Sequence, residues 1–230
     1  MKMKRLLACG MLLATSAGML QSCLDDEDDN MLKYQPTALV TVVPVGESSV
    51  VLQLNDSVAL QPVNMTASPY GSKEVRALVN YVETNGKSAA NFQKIHVNWM
   101  DSIRTKMPVP DMGGENDARY GNDPIEVVKD WVTVAEDGYL TLRIRTRWGA
   151  KGTPHYMNLL TGSNPDNPFE LELRHDAKGD TGGTLGDALI AFNLNHLPRN
   201  DARKVELTLK WKSPEGEMST TFSLGFRTTP

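Results

Sequence analysis

Four histidines, His96, His155, His175 and His196, are the first places to look for metal or acid–base chemistry. None lies three to five residues from another, the spacing that brings two ligands onto one turn, so no metal site is expected. His175 alternates with Phe169, Leu171 and Leu173, which turns it inward toward a backbone partner. Asp176-Ala177-Lys178-Gly179-Asp180-Thr181-Gly182 has a faint look of a calcium loop. It lacks the Asp-x-Asp-x-Asp-Gly spacing and the closing Glu, and Lys178 would repel the ion, so we read it as a flexible hairpin loop. No Gly-Lys-Ser/Thr phosphate loop and no Gly-x-Ser-x-Gly elbow occurs. Carboxylates are plentiful but sit mostly at turns or on polar strand faces. No catalytic residue and no cofactor is expected, and the chain does not read as an enzyme.

One constellation stands out. In Tyr139–Trp148, Leu140, Leu142, Ile144 and Trp148 share one face and Thr141, Arg143, Arg145 and Arg147 the other. A row of three guanidinium groups, Arg143, Arg145 and Arg147, could contact a carboxylate, a phosphate or an acidic sugar. The favoured alternative is cross-strand pairing with Glu170, Glu172 or Glu206, which alternate with apolar residues on other strands. Trp99, Trp131, Trp148 and Trp211 could form a sugar-stacking platform, but Trp148 and Trp211 lie in register with aliphatic positions and read as core.

The elements that must position these side chains are β-strands. Runs at 39–45, 49–54, 57–63, 75–82 and 92–99 are rich in β-branched residues or alternate in polarity. Five strands in so short a stretch fit a small barrel, an OB-like domain over 34–107. Residues 108–124, PVPDMGGENDARYGNDP, hold three Pro and three Gly and read as a linker or a long exposed loop. Seven further strands follow, at 125–134, 139–148, 155–160, 169–174, 188–194, 204–211 and 220–226, and fit a seven-stranded antiparallel β-sandwich over 125–230. The expected fold is all-β. No long amphipathic helix is evident, which disfavours parallel α/β folds and their nucleotide sites.

The first 22 residues read as a signal peptide. Lys2, Lys4 and Arg5 precede an uncharged stretch, Leu6 to Leu20, of 15 residues, too short for a transmembrane helix of about 20. Leu20-Gln21-Ser22-Cys23 resembles a bacterial lipobox, so Cys23 is the expected lipidation site, carrying acyl chains such as palmitate. Cys9 then leaves with the signal and no thiol remains for catalysis. Of 230 residues, 24 are Lys or Arg and 28 Asp or Glu, a net charge of -4. Removing Lys2, Lys4 and Arg5 leaves 21 positive against 28 negative, so the mature chain is more acidic still and no nucleic-acid partner is expected. Residues 23–33 read as a lipid-anchored acidic tether. Its run Asp25-Asp26-Glu27-Asp28-Asp29 is either a solvated spacer or an export signal, similar to the tag that sends Bacteroidota lipoproteins to the cell surface. Asp56-Ser57-Val58 and Asp101-Ser102-Ile103 resemble Asp-Ser/Thr-apolar O-glycosylation sites of that phylum, with Ser57 and Ser102 as acceptors.

Several motifs in order carry a family resemblance: Asp130-Trp131-Val132-Thr133-Val134, Gly138-Tyr139-Leu140-Thr141-Leu142, Trp148-Gly149, His155, Asn158-Leu159, Leu171-Glu172-Leu173-Arg174-His175-Asp176, Gly179-Asp180, Phe192-Asn193-Leu194 and Lys210-Trp211-Lys212. They resemble the NigD-like lipoproteins of Bacteroidota. The resemblance implies an N-terminal OB-type domain and a C-terminal β-sandwich behind a lipoprotein signal. The family name comes from a bacteriocin-associated gene set with a suggested immunity role, and no catalytic residue carries over. The expected function is a non-catalytic lipoprotein of a Gram-negative outer membrane, facing outward and anchored through acylated Cys23, that binds a protein or glycan partner. Bacteriocin immunity is a special case. The alternative is a structural or adhesin-like envelope module without a dedicated ligand site. A concave patch joining both domains would favour binding, and clustered carboxylates or histidines in a cleft would favour an enzyme.

Overall fold

The computed structural model describes residues 34–84 and 92–227. The signal peptide, Cys23 and the acidic tether lie outside them. Five strands close into a barrel: β1 (Ala38–Pro44), β2 (Val50–Gln53), β3 (Ala59–Pro62), β4 (Val75–Glu83) and β5 (Phe92–Ser102), in the order β1-β2-β3-β5-β4. β3 runs parallel to β5, and β4 returns antiparallel to β1 to seal the barrel. Period-two alternation drives this. In β5, Ile95 and Val97 are buried while Lys94, His96 and Asn98 are exposed. The inward set, with Val40, Val42, Leu52, Leu60, Ala77 and Val79, is the barrel core. β1 departs from alternation, since Ala38 to Val42 are all buried. Val40 and Val42 fill the barrel, whereas Leu39 packs outward with Ile103 and Ala191.

The second half is a β-sandwich of two five-stranded sheets. Its remaining strands are β6 (Arg104–Lys106), β7 (Val109–Pro110), β8 (Glu126–Val128), β9 (Val134–Glu136), β10 (Tyr139–Trp148), β11 (Tyr156–Thr161), β12 (Glu170–Asp176), β13 (Thr184–Asn193), β14 (Lys204–Ser213) and β15 (Gly216–Gly225). One sheet runs β6-β13-β10-β8 with β9 also on β10; the other runs β15-β14-β12-β11-β7. Leu140, Leu142 and Ile144 of β10 and Phe192 of β13 meet Leu171, Leu173, Leu209 and Trp211 across the core.

The all-β, barrel-plus-sandwich class is as expected, but three details of the sandwich differ. It has ten strands among the described residues rather than seven, because the expected 125–134 strand splits into β8 and β9 and the preceding stretch adds β6 and β7. Asp130 Oδ1 accepts from the Val132 and Thr133 N–H groups, and this turn breaks the strand. The pairing is not wholly antiparallel: β12 runs parallel to β14, β11 to β7 and β13 to β6. Residues 108–124 are not a free linker. They contribute β7, a turn of 3₁₀ helix (Gly113–Glu115) and the short helix α1 (Asn116–Tyr120), with Asn116 and Tyr120 buried. The Tyr120 hydroxyl donates to the Pro110 carbonyl at 3.2 Å. With β6 already in the sandwich sheet, the chain passes from β5 into the second half within two residues.

Candidate functional site

The outward face of β10 changes role along its length. Tyr139 and Thr141 are fully buried beneath the barrel, and the arginine row begins beyond them. Arg143 donates from Nε to Asp187 Oδ2 and from Nη1 to Asp130 Oδ2, both at 2.8 Å. Arg145 grips both oxygens of Asp187, at 2.6 and 3.0 Å. These hydrogen bonds, Arg145 first, hold the Asp187 carboxyl down at about 2. Arg147 reaches only a backbone carbonyl, that of Gly183, at 3.1 Å. The row is therefore paired, but not with the expected acids. Glu170, Glu172 and Glu206 lie on β12 and β14 of the other sheet, where Glu170 takes Lys210 and Glu172 takes Arg174. Among the described residues, Arg147 has no carboxylate partner.

His175 is buried and faces the Pro124 carbonyl through Nδ1 at 3.2 Å. A carbonyl only accepts, so that nitrogen carries the proton and Nε2 accepts from His155 Nδ1 at 2.9 Å. This leaves His155 Nε2 bare, 3.8 Å from Asp180 and without a hydrogen bond among the described residues. Burial pushes the His175 imidazole below its ordinary value, the Pro124 contact opposing this only in part. Asp180, also buried, accepts from the Gly149, Ala150 and Lys151 N–H groups at 2.9–3.1 Å. Burial works against its charge, yet these three donors hold its carboxyl below the usual range. The calcium-like stretch is thus a brace between two loops. Among the described residues, no group of three or more His, Cys, Asp or Glu is placed to hold a metal.

The four tryptophans sit on four separate elements. Trp211 is buried in the core, Trp148 lies edge-on to His155 at 6.0 Å between ring centres, and Trp131 is 56% exposed in the β8–β9 turn. Ser57 and Ser102 are both exposed, as an acceptor site requires.

A concave feature lies where barrel meets sandwich, within the compact unit formed by residues 35–230. Arg76 of β4, fully buried, crosses the junction. It donates to Glu136 Oε1 at 2.6 Å, to Thr41 Oγ1 at 2.9 Å and to Thr141 Oγ1 at 3.2 Å. Burial raises the Glu136 carboxyl, and Arg76 offsets part of that rise. A second knot surrounds Arg227. Asp137-Gly138 forms the two-residue turn between β9 and β10, both with positive φ (53° and 77°), as such a hairpin requires. The turn presents the Asp137 carboxylate to Arg227 Nε and Nη2 at 2.7 and 2.6 Å. Arg227 also holds both oxygens of Glu74, at 3.2 Å, and the Tyr139 hydroxyl donates to Glu74 at 3.0 Å. Burial opposes the Arg227 charge, but the two carboxylates more than compensate. Asp56, on the barrel's β2–β3 loop, accepts from the Asp137 N–H at 2.9 Å. Gly225 makes that approach possible, since any side chain there would strike the Asp56 carboxylate.

Over this floor opens a cleft of about 690 Å³, lined by Lys73 and Glu74 from the barrel, Thr105–Met107 from the crossing, and Asn193, Asn195, Arg199 and Arg227 from the sandwich. Two family models match the chain in tandem: the NigD-like N-terminal OB domain over residues 39–103 and the NigD-like C-terminal beta sandwich domain over 108–224. The chain belongs to the NigD-like family. Solved structures agree with that fold. A candidate toxin-related protein from Parabacteroides distasonis is 32% identical, with a TM-score of 0.66 over 82% of this chain and 92% of its own. A NigD-like immunity protein from Bacteroides caccae is 20% identical, with a TM-score of 0.56 over 81% and 93%. A candidate lipoprotein from Bacteroides fragilis is 14% identical, with a TM-score of 0.55 over 84% and 98%. No functionally curated protein matches. In this NigD-like chain the cleft residues were not singled out from sequence. Lys73, Arg199 and Arg227 sit in loops or beyond strand ends, where no periodicity marks them. The one available signal was β1, whose unbroken buried run announces a strand covered on both faces.

Proposed function

We propose that this NigD-like chain is a non-catalytic envelope lipoprotein, anchored in the outer membrane through acylated Cys23 and facing outward, that binds a protein or glycan partner in the junction cleft. Bacteriocin immunity is one form of that role. The observation that carries the binding reading over a purely structural module is the cleft itself. It joins both domains, and its volume falls in the range of roughly 300–1,000 Å³ of ligand sites, which favour domain interfaces. The ion networks beneath it fix the two walls relative to each other, so the site is formed before any ligand arrives.

A photo-crosslinking amino acid placed at Met107 or at Met218, in cells displaying the protein, tests this. Met107 lines the cleft, and Met218 is exposed seven residues from Gly225 along β15, about 23 Å away. The proposal expects a discrete adduct from position 107 that position 218 does not give. Equal capture at both, or none at 107, favours the structural module.

A further inference from the structure

We infer that the junction cleft takes an anionic ligand, one bearing carboxylate or phosphate groups. This rests on the cleft being the binding site and adds the ligand's charge. Three cations face the cleft or its floor, Lys73, Arg199 and Arg227, and Arg227 is taken by the Glu74 and Asp137 carboxylates. That leaves Lys73 and Arg199 as two positive charges without a carboxylate among the described residues, on a chain whose net charge is -4.

The surplus is also available to a ligand. Both carboxylates are turned onto Arg227, and Glu74 is further occupied by the Tyr139 hydroxyl. The Lys106 ammonium is held by the Met157 carbonyl and Asn158 Oδ1 on β11, neither of which lines the cleft, so the cations open to a ligand are Lys73 and Arg199. No carboxylate pairs with Lys73 or Arg199 among the described residues. Arg199 instead lays its guanidinium over the Phe226 ring, 4.5 Å from the ring centre. Stacking of this kind orients the planar group and leaves its edge N–H groups open to a carboxylate or phosphate.

The polar wall supports the same reading. The Asn193 amide donates to the Tyr139 hydroxyl, and the Asn195 amide donates to Asn193 Oδ1 and to the Asp137 and Gly138 carbonyls. Thr105 accepts from the Arg76 N–H and donates to the Ile103 carbonyl. The charged groups of the lining that lack a partner are therefore cationic, and among the described residues the lining contains no aromatic ring to stack a neutral sugar. The arginine row differs on this point, because Arg143 and Arg145 are neutralised where they stand.

The anion could be a free polycarboxylate or the acidic residues of a glycan. Titrating the isotope-labelled mature chain with citrate, trigalacturonate and neutral maltotriose, followed by amide chemical shifts, separates them. The inference expects citrate or trigalacturonate, but not maltotriose, to move resonances at 73–74, 104–107 and 193–199. Tighter binding of trigalacturonate marks a glycan, and tighter binding of citrate a free anion. The Lys73→Gln/Arg199→Gln pair, which removes both charges and keeps polar side chains, should weaken binding roughly tenfold or more and flatten its salt dependence. Shifts elsewhere, no shift with either anion, or an unweakened double variant overturn the inference. A cleft response to maltotriose alone overturns the charge argument and leaves the cleft as the binding site. The crosslink at position 107 judges that reading separately.

Discussion

Arg76→Met should uncouple the barrel from the sandwich at a cost that the geometry sets. The substitution keeps most of the side-chain stem but removes an ion-paired hydrogen bond to Glu136 and two charge-assisted ones, to Thr41 and Thr141. Hydrogen bonds involving a charged group contribute about 1.5–3 kcal/mol each. Removing one partner of a buried pair costs about 3–5 kcal/mol, because the other is left uncompensated. Glu136 keeps 23% of its side chain exposed and can recruit water, so the lower end applies, about 3 kcal/mol. For a unit of this size that corresponds to a fall in Tm of about 6–12 °C. Adding Glu136→Gln should return part of the loss, because the stranded charge is gone. Urea unfolding of wild type, both single variants and the double variant gives the coupling directly. A coupling below about 0.5 kcal/mol would mean that the two positions act independently and that the junction is not held as described.

Further expectations concern the anchor, the buried histidine and the serine sites. Cys23→Ala should release the protein from membranes or leave uncleaved precursor, and a variant that fractionates and carries lipid like wild type removes the lipoprotein assignment. His175 takes a proton less readily folded than unfolded, so its contribution holds above about pH 6.5 and is lost as pH falls below it. The drop in urea midpoint between about pH 7.5 and 5.5 should therefore be smaller in His175→Gln than in wild type, and an equal drop refutes that role. Intact-mass analysis of native protein should show glycan on Ser57 or Ser102, whereas a mass equal to the lipidated peptide alone excludes both.

The strands were legible where local pattern decides them. β5 alternates from Lys94 to Asn98, and β10 spans Tyr139–Trp148 as its sequence indicates. The arginine row was legible as a row, but its partners were not. The expected strand at 188–194 left out Asp187, while β13 begins at Thr184 and sets Asp187 opposite Arg145. Four residues of strand changed which acid faces the row. Residues 108–124 looked like a linker because Pro and Gly set their composition. What orders them is tertiary: two residues of β7 on the edge of β11 and a buried Tyr120. Parallel pairing and the junction depend on contacts between distant segments, Glu74 with Arg227 above all, and no window of sequence contains both.

The central claim, that binding belongs to the cleft rather than to the arginine row, is tested most directly by comparing three proteins in one calorimetric titration with trigalacturonate. Wild type sets the affinity, Lys73→Gln/Arg199→Gln removes the unpaired cations of the cleft, and Arg147→Gln removes the row's arginine that has no carboxylate. The account predicts a loss of roughly tenfold or more in the cleft pair and an unchanged affinity in Arg147→Gln. The reverse pattern, with Arg147→Gln losing affinity and the cleft pair keeping it, would contradict the account and move the site onto the face of β10.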